Sequence, residues 1–465
     1  MNIFYIFPEI IVFAVALIVL ITGSVSVSIF GLFLSFITSA VLFTFSGAIF
    51  SSTYTIDPFS NLFKLASVAI GIIILLMSDE YAKKFIKTNI NEFYALIIFA
   101  VLGMMFLTSS SNLIMIFISM EFLSLTSYIL AGYLKGDKKS AESSLKYLLF
   151  GVAASAVMLY GMSFIYGITG TLNIYEISGV IAKLGYSPLL YLSLLMMFAG
   201  FGFKIAMVPF HLWMPDVFEG APTPVVAFLS VGPKIAGFAV LLRFLIIAFL
   251  PFANEWKILI AVFSVITMTL GNLVAINQTN IKRMLAYSGI SQVGYILIGL
   301  VALSSGFSVP SMLFYLLAYV FMNLGAFAVI ITYSNQIGSD LIDDYRGMSE
   351  RSPFLALMLT VFLLSLAGIP PLAGFVAKFY IFAAAIESGY LWLAIIAVIN
   401  TVVSIYYYMN VTRVMYFSKT ADDSKIIISK NLEYAIIGCV LFVVVLGIYP
   451  APLFLITEIA SRMLF

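Results

Sequence analysis

The feature that most constrains this chain is a series of long apolar stretches that follow one another from end to end. A helix that crosses the hydrocarbon core of a bilayer needs about 20 predominantly apolar residues. Short polar or Gly/Pro-containing breaks leave approximate spans at 4–22, 28–50, 58–77, 93–109, 112–134, 142–167, 188–208, 225–247, 258–276, 284–303, 309–334, 353–388, 390–416 and 433–457. The pattern predicts an all-α polytopic membrane protein with about 14 transmembrane helices.

The stretch 353–388 is too long for one simple span, and its centre reads GIPPLAG. Pro370 and Pro371 have no amide hydrogen to donate, and the adjacent glycines are flexible, so a helix cannot continue through this point. Span 7 has similar helix-breaking residues around Pro209. We therefore predict two broken helices, the seventh and the twelfth.

Composition excludes several other classes of protein. Of the 465 residues 63% are hydrophobic and 9% charged, and the polar stretches near 78–92, 335–352 and 417–432 are each too short to form a soluble domain. The single cysteine, Cys439, excludes an internal disulfide and a thiolate metal site, and the single histidine, His211, argues against a bis-histidine haem. We therefore expect no cofactor and no metal in this chain. The bilayer is the expected environment, and the net charge of +2 gives no reason to expect a nucleic-acid partner.

The distribution of basic residues predicts the orientation in the membrane. Loops after odd-numbered spans carry fourteen lysines and arginines, whereas the loops and tail after even-numbered spans carry three, Lys183, Lys257 and Arg462. Because basic residues concentrate on the cytoplasmic side, both termini are predicted to lie outside the cytoplasm. No basic residue precedes Lys64, so the N-terminal stretch is predicted to be the first span rather than a cleaved signal peptide.

Four charged residues lie deep inside apolar spans: Glu121, Lys204, Lys234 and Lys378. A charge at the centre of a membrane helix costs about 2.5–3.5 kcal/mol on insertion scales, and such residues usually mark functional sites. A buried lysine can give up its proton, which an arginine cannot. We predict that these four groups exchange protons and that Glu121 takes part in a Glu–Lys pair. The alternative is a set of purely structural ion pairs.

Other charged groups are weaker candidates. Lys146 lies early in its span and could reach the cytoplasmic interface. His211 lies in a proline-rich link, where it is either a proton carrier or a structural hydrogen-bonding group. Lys64 and Arg243 lie near the ends of spans, and we interpret them as interfacial anchors.

Spacing indicates an internal repeat. Lys204 and Lys378 each lie beside a helix break, and they are 174 residues apart. The same shift carries Glu121 to Tyr295 in span 10, and it carries span 6 onto span 11. Two repeats of five helices, spans 4–8 and 9–13, fit this spacing, and an odd number of helices makes the second repeat inverted in the membrane. The predicted parts of the chain are N-terminal helices 1–92, a first repeat 93–250, a second repeat 251–416, and a C-terminal loop and helix 417–465.

Three long segments carry a family resemblance. They read FHLWMPDVFEGAPTPVVAFLSVGPKIAGFAVLLR, IKRMLAYSGISQVGYILIGL and YRGMSERSPFLALMLTVFLLSLAGIPPLAGFVAKFYIF. Together with the N-terminal FPEI, they resemble the antiporter-like membrane subunits of respiratory complex I, the NADH–quinone oxidoreductase of bacteria. The resemblance covers essentially the whole chain and implies fourteen helices in two inverted five-helix repeats.

The resemblance also implies a site and partners. It implies a proton path through Glu121, Lys146, Lys204, Lys234 and Lys378, with His211 in the helix 7 break. Relatives often carry a histidine where this chain has Gln292, so no titratable relay is expected at that point. The chain would act in the bacterial inner membrane with other membrane-arm and redox subunits, and those subunits would hold NADH, FMN, Fe–S clusters and quinone.

Three other functions fit the residues less well. A subunit of a cation/proton antiporter would share these helices and lysines. An inactive membrane scaffold would use the buried charges only to hold helices together. A direct quinone reductase has the least support, because the chain shows no evident cofactor ligands.

Overall fold

The computed structural model describes residues 3–86, 89–185, 187–419 and 424–465. Lys87, one of the basic residues used to predict the orientation, lies outside this part of the chain. The described residues are helical almost throughout. The helices are α1 Phe7–Thr22, α2 Val25–Val41, α3 Pro58–Tyr81, α4 Ile90–Thr108, α5 Leu113–Ala131, α6 Lys138–Thr169, α7 Ile174–Leu184, α8 Pro188–Ile205, α9 Trp213–Gly220, α10 Thr223–Arg243, α11 Ala253–Ile276, α12 Ile281–Val301, α13 Ser308–Ile337, α14 Met348–Arg351, α15 Pro353–Ala367, α16 Ala373–Glu387, α17 Leu391–Phe417, α18 Lys430–Ile448 and α19 Ala451–Ser461.

In the described part of the chain, twelve helical segments are long and apolar enough to cross a membrane, and α2 and α15 are shorter apolar helices. The predicted span 7 corresponds to α8, with α9 following beyond its predicted end, and the predicted span 12 consists of α15 and α16. The prediction of an all-α polytopic protein with broken helices 7 and 12 is confirmed. Helices α10, α12 and α13 lie at the centre, almost entirely buried, whereas α1, α6 and α18 present much of their surface outward. The lysine-bearing breaks pack around this buried centre.

Three local features differ from the predicted spans. Span 2 ends at Val41 rather than near residue 50, because the apolar residues that follow form a hairpin of β1 Gly47–Ile49 and β2 Tyr54–Ile56. Span 14 ends at Ile448, where Pro450 separates it from α19. Helix α7 was not predicted; it is a short amphipathic helix whose apolar side is buried.

Two matching sets of backbone hydrogen bonds, here called frames, occur in the two halves of the chain. In the first frame the Leu113 amide at the start of α5 donates to the Leu172 carbonyl beyond α6, at 2.9 Å. In the second, the Ile281 amide at the start of α12 donates to the Asp340 carbonyl beyond α13, also at 2.9 Å. Each frame has one further backbone bond with the same spacing: Ile174 N to Ser111 O, and Ile342 N to Thr279 O.

Every residue in the second frame lies 168 positions after its counterpart in the first. The predicted shift of 174 is therefore wrong in this part of the chain. The difference matters, because a shift of 168 places Gly289, not Tyr295, at the position equivalent to Glu121. The shift of 174 was wrong because it equated two lysines that lie on opposite sides of their helix breaks: Lys204 precedes its break and Lys378 follows its break.

Candidate functional site

Two helix interruptions position the buried lysines. Helix α8 ends at Ile205 because Ala206 adopts a left-handed conformation with φ of 60°, and the chain continues through Pro209 to α9. Helix α15 ends before Gly368, which has φ of 91°, and the two prolines follow. A residue with a Cβ is strained in this region, so glycine suits the second break and Ala206 is held in its conformation by the surrounding fold.

Lys204 lies in the last turn of α8 and is buried. Its Nζ donates to the hydroxyl of Ser124 on α5, at 2.8 Å. Its place at the C-terminal end of a helix is favourable for a cation, because the last carbonyls of the helix carry partial negative charge.

Glu121 lies on α5, one turn before Ser124, and is partly buried. Its Oε1 accepts a short hydrogen bond from the hydroxyl of Ser155 on α6. Among the described residues no ion pair joins Glu121 to Lys204 or to another lysine within 4.0 Å, so the predicted direct pair is not formed in this structure. Each group instead has a serine hydroxyl as its partner. The Lys204 amine donates to Ser124, and the Glu121 carboxylate accepts from Ser155. The carboxylate and the amine are thus near one another along α5 but separately hydrogen-bonded.

Lys234 is buried in the middle of α10, directly after Pro233. Its Nζ donates to the backbone carbonyl of Gly289 at 2.9 Å, and the hydroxyl of Tyr319 lies at 3.4 Å. A Cβ on residue 289 would lie 2.8 Å from the Lys234 Nζ, so this ammonium needs a glycine there. The residue 168 positions after Glu121, Gly289, therefore packs directly against the Lys234 amine.

Lys378 is buried on α16, and its Nζ donates to two carbonyls at the end of α15, those of Leu366 at 3.1 Å and Ala367 at 3.0 Å. The interruption at Gly368 frees these carbonyls from the regular helical pattern. The same Nζ lies 4.8 Å from the centre of the Tyr295 ring, which adds a cation–π contact. The break thus supplies the ligands for the amine that follows it.

A set of hydrogen bonds centred on Gln292 lies between Lys234 and Lys378. The Gln292 side chain accepts from the Tyr315 hydroxyl, and its Nε2 donates to the Leu366 carbonyl at 3.0 Å. The hydroxyl of Tyr408 lies 3.4 Å from the same Nε2 and makes a short hydrogen bond to Ser288. Sequence reasoning named Gln292, but it could not show that Gln292 and Tyr408 share one network.

Lys146 and His211 do not join the buried lysines. The Lys146 Nζ contacts Asp216 and Glu142, each at 2.7 Å, and its side chain is 37% exposed. Lys146 therefore lies at the end of α6, as its early position in the span indicated, and its part in the implied proton path stays a prediction. His211 is buried in the link between α8 and α9, and its Nδ1 has no hydrogen-bond partner among the described residues.

Two buried ion pairs were missed. Lys64 contacts Glu9 at 3.0 Å, and the Tyr54 hydroxyl bonds to both. Arg243 contacts Asp57 at 2.8 Å. The interpretation of Lys64 and Arg243 as interfacial anchors is wrong, because both side chains are almost fully buried. The signal available in the sequence was an acid near the end of another span for each base, Glu9 and Asp57.

Asp57 caps the N-terminus of α3, where its carboxylate accepts from the Ser60 amide at 2.6 Å. Burial raises the pKa of Asp57, but the attraction and hydrogen bonds of Arg243, together with the bonds from Ser60, more than offset burial. The pKa of Asp57 therefore lies below its ordinary value. The pair stays charged near neutrality and joins α3 to the end of α10.

Comparison with known proteins gives a consistent result. A family model described as NADH:quinone oxidoreductase/Mrp antiporter, TM, matches residues 110–404. NADH-quinone oxidoreductase subunit N of Heliobacterium modesticaldum is 43% identical over 95% of this chain and 93% of its own length. The subunit N of Moorella thermoacetica is 45% identical over 86% of this chain and 84% of its own length.

Solved structures agree in fold. A chain of respiratory complex I from Thermus thermophilus is 30% identical, with a TM-score of 0.83 over 96% of this chain and 98% of that chain. A chain of the Mrp complex from a Dietzia species has a TM-score of 0.89 over 100% of this chain and 98% of that chain, but at 19% identity it shows the shared fold alone. The chain belongs to the NADH:quinone oxidoreductase/Mrp antiporter family of membrane subunits and, within it, to the subunit N group of NADH-quinone oxidoreductase. The resemblance inferred from the three long segments is confirmed.

Proposed function

We propose that this chain is a proton-translocating subunit in the membrane arm of a bacterial NADH–quinone oxidoreductase. Quinone reduction in other subunits supplies the free energy, and the NADH, FMN, Fe–S clusters and quinone are bound there. This chain contributes a proton relay of Glu121, Lys204, Lys234 and Lys378. Lys146 and His211 lie at the ends of this relay. Lys146 lies in the surface cluster around Asp216, and His211 lies in the link that follows Lys204.

One observation carries the proposal. The amines of Lys204, Lys234 and Lys378 are buried, and none has a carboxylate within 4.0 Å among the described residues. Each amine is held by a hydroxyl or by backbone carbonyls instead. A permanently charged ammonium without a counter-ion is costly to bury, whereas an amine that gains and loses a proton needs only hydrogen-bonding partners. Lys64 is the contrast, since it is buried against Glu9 and is better explained as a structural pair.

The sequence of transfer follows the arrangement of helices. A change at Glu121, which faces α6 through Ser155, would alter the field at Lys204 and cause it to pass its proton to Lys234. The proton would then reach Lys378 through the region of Gln292 and Tyr408. Each transfer moves one proton from an ammonium to a neutral amine, so the donor becomes neutral and the acceptor charged. Water carries the proton where the amines are too far apart for direct transfer.

The same proposal includes the orientation and the parts of the chain. Both termini lie on the non-cytoplasmic side, as the positive-inside bias indicates. The chain divides into 1–92, 93–250, 251–416 and 417–465, and the two hydrogen-bonded frames 168 residues apart support a repeated unit. Inversion of the second unit places its break on the opposite half of the bilayer.

The test uses three variants of the assembled complex in membrane vesicles. Lys204→Ala removes the titratable amine, Lys204→Arg keeps a charge that cannot be released, and Lys64→Met removes a buried lysine outside the relay. We expect both Lys204 variants to lower proton pumping per quinone reduced, whereas Lys64→Met should lower stability without changing this ratio.

Normal pumping by an assembled Lys204→Ala complex would overturn the relay. Restoration of pumping by Lys204→Arg would show that only the charge is needed and would support a structural scaffold. A chain that purifies without redox subunits and supports cation-dependent proton exchange in vesicles would instead be an antiporter subunit.

A further inference from the structure

Two adjoining polar cavities open at the end of the molecule that carries Lys146. The smaller, about 200 Å³, is lined by charged residues of α6, α9 and α12. The larger, about 910 Å³, extends between α12 and the end of α13. They share Lys139, Glu219, Gly220 and Arg283, so they form one polar vestibule between the two halves of the chain. By the positive-inside bias this end faces the cytoplasm.

The floor of the vestibule is a network of ion pairs on α9. Asp216 accepts from Lys146 on α6 at 2.7 Å and from Arg283 on α12 at 2.8 Å. Glu219, one turn later, contacts Arg283 at 3.0 Å and Lys139 at 3.4 Å. These contacts fasten the short helix to one helix of each repeat. An interlinked set of pairs holds its geometry better than an isolated surface pair.

The other side of α9 covers the relay. Met214 is buried, and its Cε lies 3.1 Å from the Cβ position of Gly289, the same point that is 2.8 Å from the Lys234 Nζ. Trp213 stacks on Tyr147 of α6 with ring centres 4.3 Å apart. Helix α9 thus has its acids toward the vestibule and Met214 toward Lys234. One residue, Pro215, separates Met214 from the acid Asp216.

Helix α9 is short and has a helix interruption at each end. It has only eight residues, the non-helical link that contains Pro209 precedes it, and Ala221 and Pro222 follow it. A short helix between two breaks can tilt without disturbing the hydrogen bonds of its neighbours. The ion pairs on Asp216 and Glu219 hold its polar side, and the packing of Trp213 and Met214 holds its apolar side.

We infer that α9 is a gate between the polar vestibule and Lys234, with Met214 as its plug and the bonds of Asp216 to Lys146 and Arg283 as its latch. This inference rests on the proposed function, because a gate matters only if Lys234 takes up protons. When the latch opens, water reaches the neutral Lys234 amine and transfers a proton to it. The amine becomes an ammonium, and bulk water on the vestibule side replaces the proton. Asp216, Arg283 and Met214 are positioning residues, since none of them takes the proton itself.

The test measures access of a water-soluble thiol reagent to position 214. The chain has one cysteine, Cys439, which is buried and is replaced by serine in the test background. In that background Met214→Cys is combined with Asp216→Asn, or with Asp343→Asn as a matched control at an exposed ion pair on the same predicted side. A charged, membrane-impermeant methanethiosulfonate is applied to the assembled complex.

We expect Asp216→Asn to increase the modification rate at position 214 by about tenfold, the ratio that corresponds to ~1.4 kcal/mol of lost closing free energy. Asp343→Asn should leave the rate unchanged. Lys139→Cys, in the vestibule outside the gate, should react at the same rate with or without the latch. Arg283→Gln in place of Asp216→Asn gives a second test if the first variant fails to assemble.

Equal rates for the Asp216→Asn and Asp343→Asn variants, or rapid modification with the latch intact, would overturn the gate. The readout does not depend on pumping. If the Lys204 variants pump normally but access to position 214 changes, the proposed function is wrong and α9 is still a movable helix. If the Lys204 variants lose pumping but access does not change, the relay stands and the gate is wrong.

Discussion

Lys378 and Gln292 donate hydrogen bonds to the same atom, the carbonyl oxygen of Leu366, at 3.1 Å and 3.0 Å. They approach it from different helices, α16 and α12. The oxygen is free to accept both because α15 ends one residue later. Gln292, an uncharged residue, therefore fixes the position of an acceptor that Lys378 uses.

Gln292→Leu should impair proton pumping and lower stability. The change leaves the buried Tyr315 hydroxyl without its acceptor, and an unsatisfied buried polar group costs about 1–3 kcal/mol. It also removes the Gln292 hydrogen bond to the Leu366 carbonyl, so the acceptor that the Lys378 amine uses is held less firmly. Gln292→His, which restores a donor and acceptor, should retain pumping. Proton uptake per quinone reduced and thermal unfolding of the purified complex measure the two effects, and full pumping by Gln292→Leu would contradict the role assigned to this side chain.

Gly289→Ala should displace Lys234. The added methyl would lie 2.8 Å from the Lys234 Nζ and 2.9 Å from the Tyr319 hydroxyl, closer than van der Waals contact allows. Overpacking of this kind costs about 1–3 kcal/mol, and we expect pumping to fall because the amine loses its bond to the Gly289 carbonyl.

Gly438→Ala is the matched control, since residue 438 lies within α18 and a Cβ there meets nothing within 4 Å. Replacing a helical glycine by alanine is expected to stabilise by about 0.5–1 kcal/mol. The same pumping and unfolding assays apply to both variants. Equal behaviour of the two would show that the space beside Lys234 is not restricted.

Asp57→Asn should destabilise the fold in a pH-dependent way. Removing one partner of a buried pair leaves Arg243 uncompensated and costs about 3–5 kcal/mol near neutral pH. Because the folded pKa of Asp57 is below its ordinary value of 3.8, its stabilising contribution is complete above that value and is lost as the pH falls through the folded pKa.

The difference in thermal midpoint between the original chain and Asp57→Asn should therefore be constant near neutrality and shrink below about pH 4. Arg462→Ala provides a comparison, because its contact with Glu458 is exposed and such pairs contribute about 0–1 kcal/mol. A pH-independent difference for Asp57→Asn would mean that the carboxylate charge is not what stabilises Arg243.

Apolar length and helix-breaking residues were enough to predict most of the fold. Proline pairs stop a helix wherever they occur, so the break before α16 was predictable. The hairpin after α2 was not, because FTFSGAIF is as apolar as a span and only tertiary packing decides its conformation.

The site was predictable one residue at a time but not in its pairings. Burial of Lys204, Lys234 and Lys378 followed from their apolar surroundings. Glu121 binds Ser155 and Lys204 binds Ser124 because α5, α6 and α8 have a particular rotation about their axes. Hydrophobic periodicity does not specify this rotation when a helix is apolar on every side. Arg243 was misjudged for the same reason, since its partner Asp57 lies 186 positions away.

The two backbone frames have a mechanical consequence. Each ties the start of one membrane helix to the segment that follows the next, so α5 with α6, and α12 with α13, are each braced at one end. A braced pair resists sliding and tends to tilt as one body. Neither frame includes α8, α10 or α16, the helices that carry the three lysines of the proposed relay. Under the proposed function, the amines of the relay would therefore be free to shift relative to the two braced pairs.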